Sequence, residues 1–461
     1  MSQRLGWRAF VIACAVALVI GPAAVVAQTP AGEDLAGTLA NGTKYSLHRP
    51  ANWNGVLVLN ADLPSMWGPR GAPFFNALHA LGYATGGKAR DITNWKIREG
   101  AGDLVQLKAL FADRFAKPRT TIVTGGSLGG LVSRDAGEAY PDEFDGVVPT
   151  CGGGAGLIGM WNQRLDVVFT LKTLLAPNDA TIELIGVTND QRNGAALKAL
   201  TERALQTPEG RARLALAAAI GQVSGWPTGA AAPPSPTDYD ALLKTIAASE
   251  AGMLNLKSDL EKPAGGVMNW NVGIDYRALF NAADADTIAM AKELYRRAGL
   301  NLDADLATLA AAPRIQADAS AIAWARGNGA TTGRLRKPTL VLFTAVDPRA
   351  PQSEFRAYQK TVDAAGAAAL LRQAGVYRSG HCVFSPVENL TALTLMAERL
   401  KTGRWPATTP EALNTRAKAL SAQFGADVGE GKFAAFPNTP GYPRWFSAHS
   451  PLPPGALKPT P

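Results

Sequence analysis

Residues 120–140 constrain the fold more than any other stretch of this chain. Thr120 to Thr124 is β-branched and apolar without alternation, the pattern of a strand buried on both faces. Gly125-Gly126-Ser127-Leu128-Gly129 follows, and Leu131 to Tyr140 then reads as a helix stopped by Pro141. A strand that turns this tightly into a helix holds Ser127 on a strained corner, where glycines let the backbone fold back on itself. The helix N-terminus behind it aims N–H groups at developing negative charge. Ser127 is therefore the candidate nucleophile. A Gly-rich structural turn is the plain alternative. A phosphate-binding loop is disfavoured, because no Lys-Ser or Lys-Thr follows.

The flanking sequence repeats the same grammar. Ala36 to Ala40 and Lys44 to His48 surround Asn41-Gly42, a dipeptide favoured in two-residue hairpin turns. Val56 to Leu59 reads as a buried strand, Pro73 to Leu81 as a helix and Tyr83 to Thr85 as a strand. Leu104, Leu107, Leu110, Phe111 and Phe115 share one face of a helix over Asp103 to Phe115, and a strand starts over Val147 to Pro149. Strands alternating with helices predict an α/β fold, with a mostly parallel sheet covered by helices on both faces. The alternation stops from about Gly152 to Arg336, where Ala- and Leu-rich helical patterns predict a large helical insertion, a cap or lid. Thr339 to Thr344 resumes the sheet. A helix over Glu354 to Ala364, a strand over Ala369 to Tyr377 and a helix over Pro386 to Leu400 follow. The expected division is a signal peptide at 1–27, core at 28–151, cap at 152–336 and core at 337–402. A Pro/Gly-rich extension at 403–461 is expected to wrap the surface.

The 461 residues are 47% hydrophobic and 18% charged, enough apolar material for a large core and unlike a disordered chain. Arg4 and Arg8 precede the apolar run Phe10 to Ile20, and Val25-Val26-Ala27 supplies small residues before Gln28. This predicts an export signal cleaved near Ala27 and a secreted or periplasmic protein. Gly21-Pro22 interrupts the run short of the ~20 residues an uncleaved anchor needs, and no later stretch predicts stable membrane insertion. The net charge of +8 is scattered, without a Lys/Arg tract, so no nucleic-acid partner is expected. No Cys/His cluster has metal-ligand spacing, and neither a metal nor a cofactor is expected.

A serine hydroxyl needs a base, and the base needs an acid to set its tautomer. His48 and His79 fall in a hairpin and a helix, and His449 in the Pro-rich tail. His381 follows Ser379-Gly380 in a loop between a strand and the last core helix, so it is the candidate base. Asp347 directly follows Thr339 to Val346, at the carboxyl end of a strand where catalytic groups gather, and is the candidate acid. Asp145 and Asp363 fall at a turn and within a helix. The oxyanion donors are expected to be the Leu128 N–H and an N–H from Asn60-Ala61-Asp62-Leu63, namely Asp62 or Leu63.

With Ser127, Asp347 and His381 in that chain order, the sequence resembles the α/β-hydrolase superfamily over residues 34–150 and 337–402. Ser379-Gly380-His381-Cys382 resembles the secreted tannase and feruloyl-esterase group, in which a cysteine follows the catalytic histidine. In that group its disulfide partner precedes the nucleophile; here that position is Gly126, so the match breaks. The departure implies another staple, from Cys151 to Cys382, the two cysteines left once Cys14 departs with the signal. The resemblance implies a carboxylic-ester hydrolase acting on a small-molecule or oligomeric ester. A serine peptidase or amidase of the same fold is the first alternative, and a non-catalytic binding protein the second. Trp161, Trp226, Trp270 and Trp324 are candidates for an aromatic acyl site, and Arg349 and Arg378 for pairing a substrate carboxylate.

Overall fold

The computed structural model describes residues 32–63, 71–89, 95–152, 154, 156–436 and 440–459. The export signal expected over residues 1–27 lies outside the described residues. Alternating burial builds the sheet: Leu57 and Leu59 point into one hydrophobic core and Val58 into another, as the two-residue period of a strand requires. The strands are β1 (Glu33–Thr38), β2 (Lys44–Arg49), β3 (Val56–Leu63), β4 (Ala84–Ala89), β5 (Thr120–Gly126), β6 (Gly146–Thr150), β7 (Thr339–Val346), β8 (Leu371–Ser379) and β9 (Phe433–Ala434). Their spatial order is β1-β2-β4-β3-β5-β6-β7-β8-β9. From β4 to β8 every neighbouring pair is parallel, and antiparallel pairs close both edges. Helices α1 (Pro73–Ala80), α2 (Ile97–Arg114) and α3 (Leu128–Ala139) connect the first half.

Two local expectations shift. The hairpin between β1 and β2 has a longer turn than two residues, closed by Leu39 N–H to Thr43 O at 2.9 Å, with Gly42 at φ 86°. Strand β4 runs beyond the expected Tyr83 to Thr85 through Gly86-Gly87, although glycine disfavours strands. Here the missing side chain is required: a Cβ on Gly86 would sit 2.3 Å from Leu47 Cδ2.

Between β6 and β7 the chain is helical, from α4 (Gly156–Leu175) through eight further helices, α5 to α12, within residues 190–327. Seventeen of the twenty α4 residues are buried, so this helix is a central strut without a solvent face. Its buried Asp166 is fully partnered. It accepts from Tyr276 Oη at 3.0 Å, Tyr442 Oη at 3.1 Å and Arg444 Nη1 at 2.6 Å. No described helix is long and apolar enough to cross a membrane.

Helices α13 (Gln352–Ala364) and α14 (Pro386–Thr402) complete the core. The expectation of a surface-wrapping extension over 403–461 needs correction. Helix α15 (Pro410–Phe424) buries Leu413, Ala417 and Leu420 in the core shared with α14, β9 pairs with β8, and Tyr442 and Arg444 reach α4.

Candidate active site

The corner at Ser127 is built by contacts that exclude side chains. Ser127 stands between β5 and α3 at φ 57°, ψ −118°, a strained conformation for a residue with a Cβ. A Cβ on Gly125 would lie 2.5 Å from Gly129 O, and one on Gly129 would lie 2.9 Å from the Asp62 side chain. The Ser127 N–H donates to Thr150 O at 3.0 Å and lies 3.3 Å from Cys151 Sγ. Leu128 is the first residue of α3, so its N–H has no acceptor within the helix.

The loops after β7 and β8 bring Asp347 and His381 to this serine. His381 Nε2 is 2.7 Å from Ser127 Oγ, and Nδ1 is 2.9 and 2.8 Å from the two Asp347 oxygens. A carboxylate acceptor at Nδ1 leaves Nε2 to accept the serine proton. Asp347 is itself fixed: its Oδ1 accepts the Arg349 N–H at 2.8 Å and the Ala350 N–H at 3.1 Å. Gly380 anchors the loop through its N–H to Val346 O at 2.8 Å, and Ser379 Oγ donates to Trp226 O at 2.8 Å. Thus both the segment between β6 and β7 and the sheet hold the histidine loop.

Cys151 and Cys382 form a disulfide, with Cα atoms 5.2 Å apart. Asp347, His381 and Cys382 place three ligand-type atoms within 4.8 Å of one another, but the Cys382 sulfur is bonded to Cys151 and offers no thiolate. Asp62 and Leu63 lie at the carboxyl end of β3, beside β5, the strand that leads into Ser127; the Asp62 side chain abuts Gly129.

A cavity of about 300 Å³ opens onto Ser127 and His381. Trp95, Leu131, Met160 and Leu256 supply its apolar wall, and Arg164 and Arg349 its charge. None of the four tryptophans expected there is in this wall. Trp161 lies behind it, edge-on to Trp95 at 5.5 Å; Trp226 packs on Tyr377, Trp270 on Phe446, and Trp324 against the large core. Arg378 is also placed elsewhere. Its guanidinium is spent on buried Glu388, 3.0 and 3.1 Å away, so of the two expected arginines only Arg349 reaches the cavity. Among the described residues, six non-glycine residues have positive φ, and Trp95, Ser127, Cys151 and Leu256 line this cavity while Cys382 adjoins His381. Strain of this kind persists where the surroundings impose it, and it concentrates at functional sites.

No protein-family model matches the chain. It is 30% identical over 416 residues to the o-phthalyl amidase of Xanthobacter agilis, spanning 83% of this chain and 90% of that protein. The chain belongs to the o-phthalyl amidase family. Solved structures similar to this family member include an esterase from Aspergillus oryzae, 13% identical over 81% of this chain and 80% of that one, with a TM-score of 0.39. Feruloyl esterase B from Aspergillus oryzae is 14% identical over 81% of each chain, with a TM-score of 0.36. An esterase from Pyrococcus furiosus is 11% identical over 80% of this chain and 90% of that one, at 0.35. The α/β-hydrolase resemblance read from Ser127, Asp347 and His381 thus meets a relative whose name describes a hydrolase of amides.

Proposed function

We propose that the protein is a serine hydrolase that cleaves amides of aromatic carboxylic acids through an acyl-Ser127 intermediate. The observation that carries this reading is the unbroken line from Ser127 Oγ through His381 to Asp347, at 2.7 Å and 2.8 Å. In this reading His381 takes the serine proton as Oγ attacks the carbonyl carbon, and Asp347 holds the imidazole tautomer and stabilises the cation that forms. The carbonyl oxygen, now an oxyanion, is taken up by the Leu128 N–H and by a second N–H from Asp62 or Leu63. His381 then protonates the leaving amine, and next removes a proton from the water that attacks the acyl-serine. Release of the acid restores Ser127.

Ester hydrolysis ranks first on sequence pattern alone. Relationship to an amidase at 30% identity moves the amide ahead, and o-phthalyl is an aromatic acyl group, which suits a cavity walled by Trp95, Leu131 and Met160. Esters of the same acids are the second substrate class, since an alkoxide leaves with less help from the acid than an amine does. Residues 152–336 are proposed as the cap that closes this cavity, and residues 1–27 as an export signal. The test is hydrolysis of matched aryl anilides and aryl esters by the mature protein and by Ser127→Ala. Turnover of both by the wild type and neither by the variant is expected. Turnover of esters alone would return the enzyme to the esterase class, and turnover by Ser127→Ala would remove Ser127 from the mechanism.

A further inference from the structure

Ser353, the second residue of α13, is 3% exposed, yet its Oγ has no hydrogen-bond partner among the described residues. A buried hydroxyl left unpaired costs about 1–3 kcal/mol and calls for a reason. Gln222 repeats the pattern. It caps the C-terminus of α6 (Pro208–Gly221) at φ 54°, and its Nε2 donates to Ala282 O at 3.0 Å. Its Oε1 is buried and accepts from no described residue. Both residues line one cavity of about 400 Å³. Asp347 is part of the wall of that cavity, whereas Ser127 and His381 are not.

This wall is negative. Its charged residues are Asp284 and Asp347, and among the described residues no Lys, Arg or His lines it. Arg164 and Arg349, the cations of the Ser127 cavity, are absent from it. Asp284 is exposed and caps α10 (Ala285–Ala298), with Oδ1 accepting the Thr287 N–H at 2.9 Å and Oδ2 the Thr287 hydroxyl at 2.7 Å. Each of those oxygens keeps a second lone pair. The side-chain amides of Gln222 and Gln352 already donate to backbone carbonyls. The groups left over, the Gln222 oxygen, the Ser353 hydroxyl and the Asp284 carboxylate, can all accept. A ligand for them is a donor carrying positive charge. Val346, Pro351, Phe436 and Pro440 supply apolar wall, which suits a cation on an organic body rather than a hydrated metal ion. A primary ammonium, with three N–H donors and one charge, meets both demands.

We propose that this cavity binds primary organic ammonium ions, and that its occupancy slows the catalytic site through Asp347. Cleavage of an alkyl amide releases an amine that is protonated in neutral water, so the reaction makes members of the ligand class. That consequence rests on the amide reading above; the binding does not. A cation against Asp347 draws on the negative charge that stabilises the imidazolium formed as His381 takes the serine proton. The Ser127 cavity stays open, so kcat falls while KM holds.

Benzylammonium tests the site, with benzyl alcohol as its neutral counterpart. Calorimetry on the full chain carrying Ser127→Ala is expected to show the ammonium bound more tightly than the alcohol by roughly 3- to 10-fold, the span of one charge-assisted contact at a partly exposed carboxylate. Asp284→Asn keeps the helix cap and removes the charge, and is expected to abolish that preference. Ser353→Ala is expected to weaken binding without lowering the melting temperature, since it removes an unpaired hydroxyl. In wild-type ester hydrolysis, benzylammonium is expected to lower kcat at unchanged KM. Equal binding of ammonium and alcohol, or a preference that survives Asp284→Asn, overturns the site. Competitive inhibition, or binding with no fall in kcat, overturns the link to Asp347. Calorimetry needs no turnover, so binding that depends on Asp284 supports the site even if the hydrolase reading fails, and its absence overturns the site even in an active enzyme.

Discussion

Replacing both bridging cysteines, Cys151→Ala with Cys382→Ala, is expected to weaken the fold and the site by separate routes. The bridge joins residues 231 positions apart. The loop-closure term for so long a loop is roughly 5 kcal/mol, and native bridges deliver about 2–4 kcal/mol. The site adds a local effect. Cys151 follows β6 with its sulfur against the Ser127 N–H, Cys382 follows His381, and the two hold φ 44° and 58°. Such conformations cost about 1–3 kcal/mol each in residues with a side chain. Without the bond, the chain on either side relaxes towards ordinary dihedrals, carrying Ser127 and His381 apart. A displacement of ~1 Å at reacting groups costs roughly 100-fold in rate. The double variant should thus lose about 2–4 kcal/mol in urea unfolding and roughly 100-fold in kcat, with KM little changed. Anilide kinetics and fluorescence-monitored unfolding at 25 °C measure both. Unchanged kcat and unchanged unfolding midpoint, with intact mass verifying a bridged wild type, would refute the reasoning.

Three further expectations follow from particular contacts. Asp347→Asn presents an amide to His381 Nδ1 and favours the wrong tautomer, so kcat should fall by about 10⁴-fold while the protein remains folded; steady-state kinetics and circular dichroism check it. Asp166→Asn strips the counter-charge from Arg444, which is 8% exposed, and should cost about 3–5 kcal/mol in urea unfolding. Glu250, in α7 (Tyr239–Ala251), is fully buried, and among the described residues neither carboxylate oxygen has a hydrogen-bond partner. Burial pushes its pKa well above the ordinary 4.5. Folding therefore takes up a proton between pH 4.5 and the raised value. The contribution is complete below that window and is lost as pH rises through it, by about 1.4 kcal/mol per pH unit. Glu250→Gln should melt higher than wild type at pH 8, with the gap closing towards pH 4; parallel melting curves across that range would contradict it.

The candidate triad was legible because each member sits where a local pattern ends: Ser127 after a β-branched strand, Asp347 at the end of another, His381 after Ser379-Gly380. Parallel strands deliver their carboxyl ends to one edge, so chain order and strand ends were enough. The cavity wall was not legible. Arg164 lies within α4, whose apolar run gives no sign of which side faces Ser127, and only packing against the helices Pro208–Gly221 and Leu302–Ala311 decides it. Trp95 follows the glycine-rich β4, whose true length depends on Leu47 from another strand. Helix α15 did carry a signal, Thr409-Pro410-Glu411 followed by Leu413, Ala417 and Leu420 at helical spacing. The Pro- and Gly-rich sequence on both sides concealed it.

The claim on which the account stands is that Ser127 is an activated nucleophile. Labelling of the protein with a fluorophosphonate, read by intact mass and peptide mapping, measures this directly. The account predicts one adduct, on Ser127, absent from Ser127→Ala and slowed in the Asp347→Asn variant. An active protein that takes no label, or takes it on another residue, would contradict it.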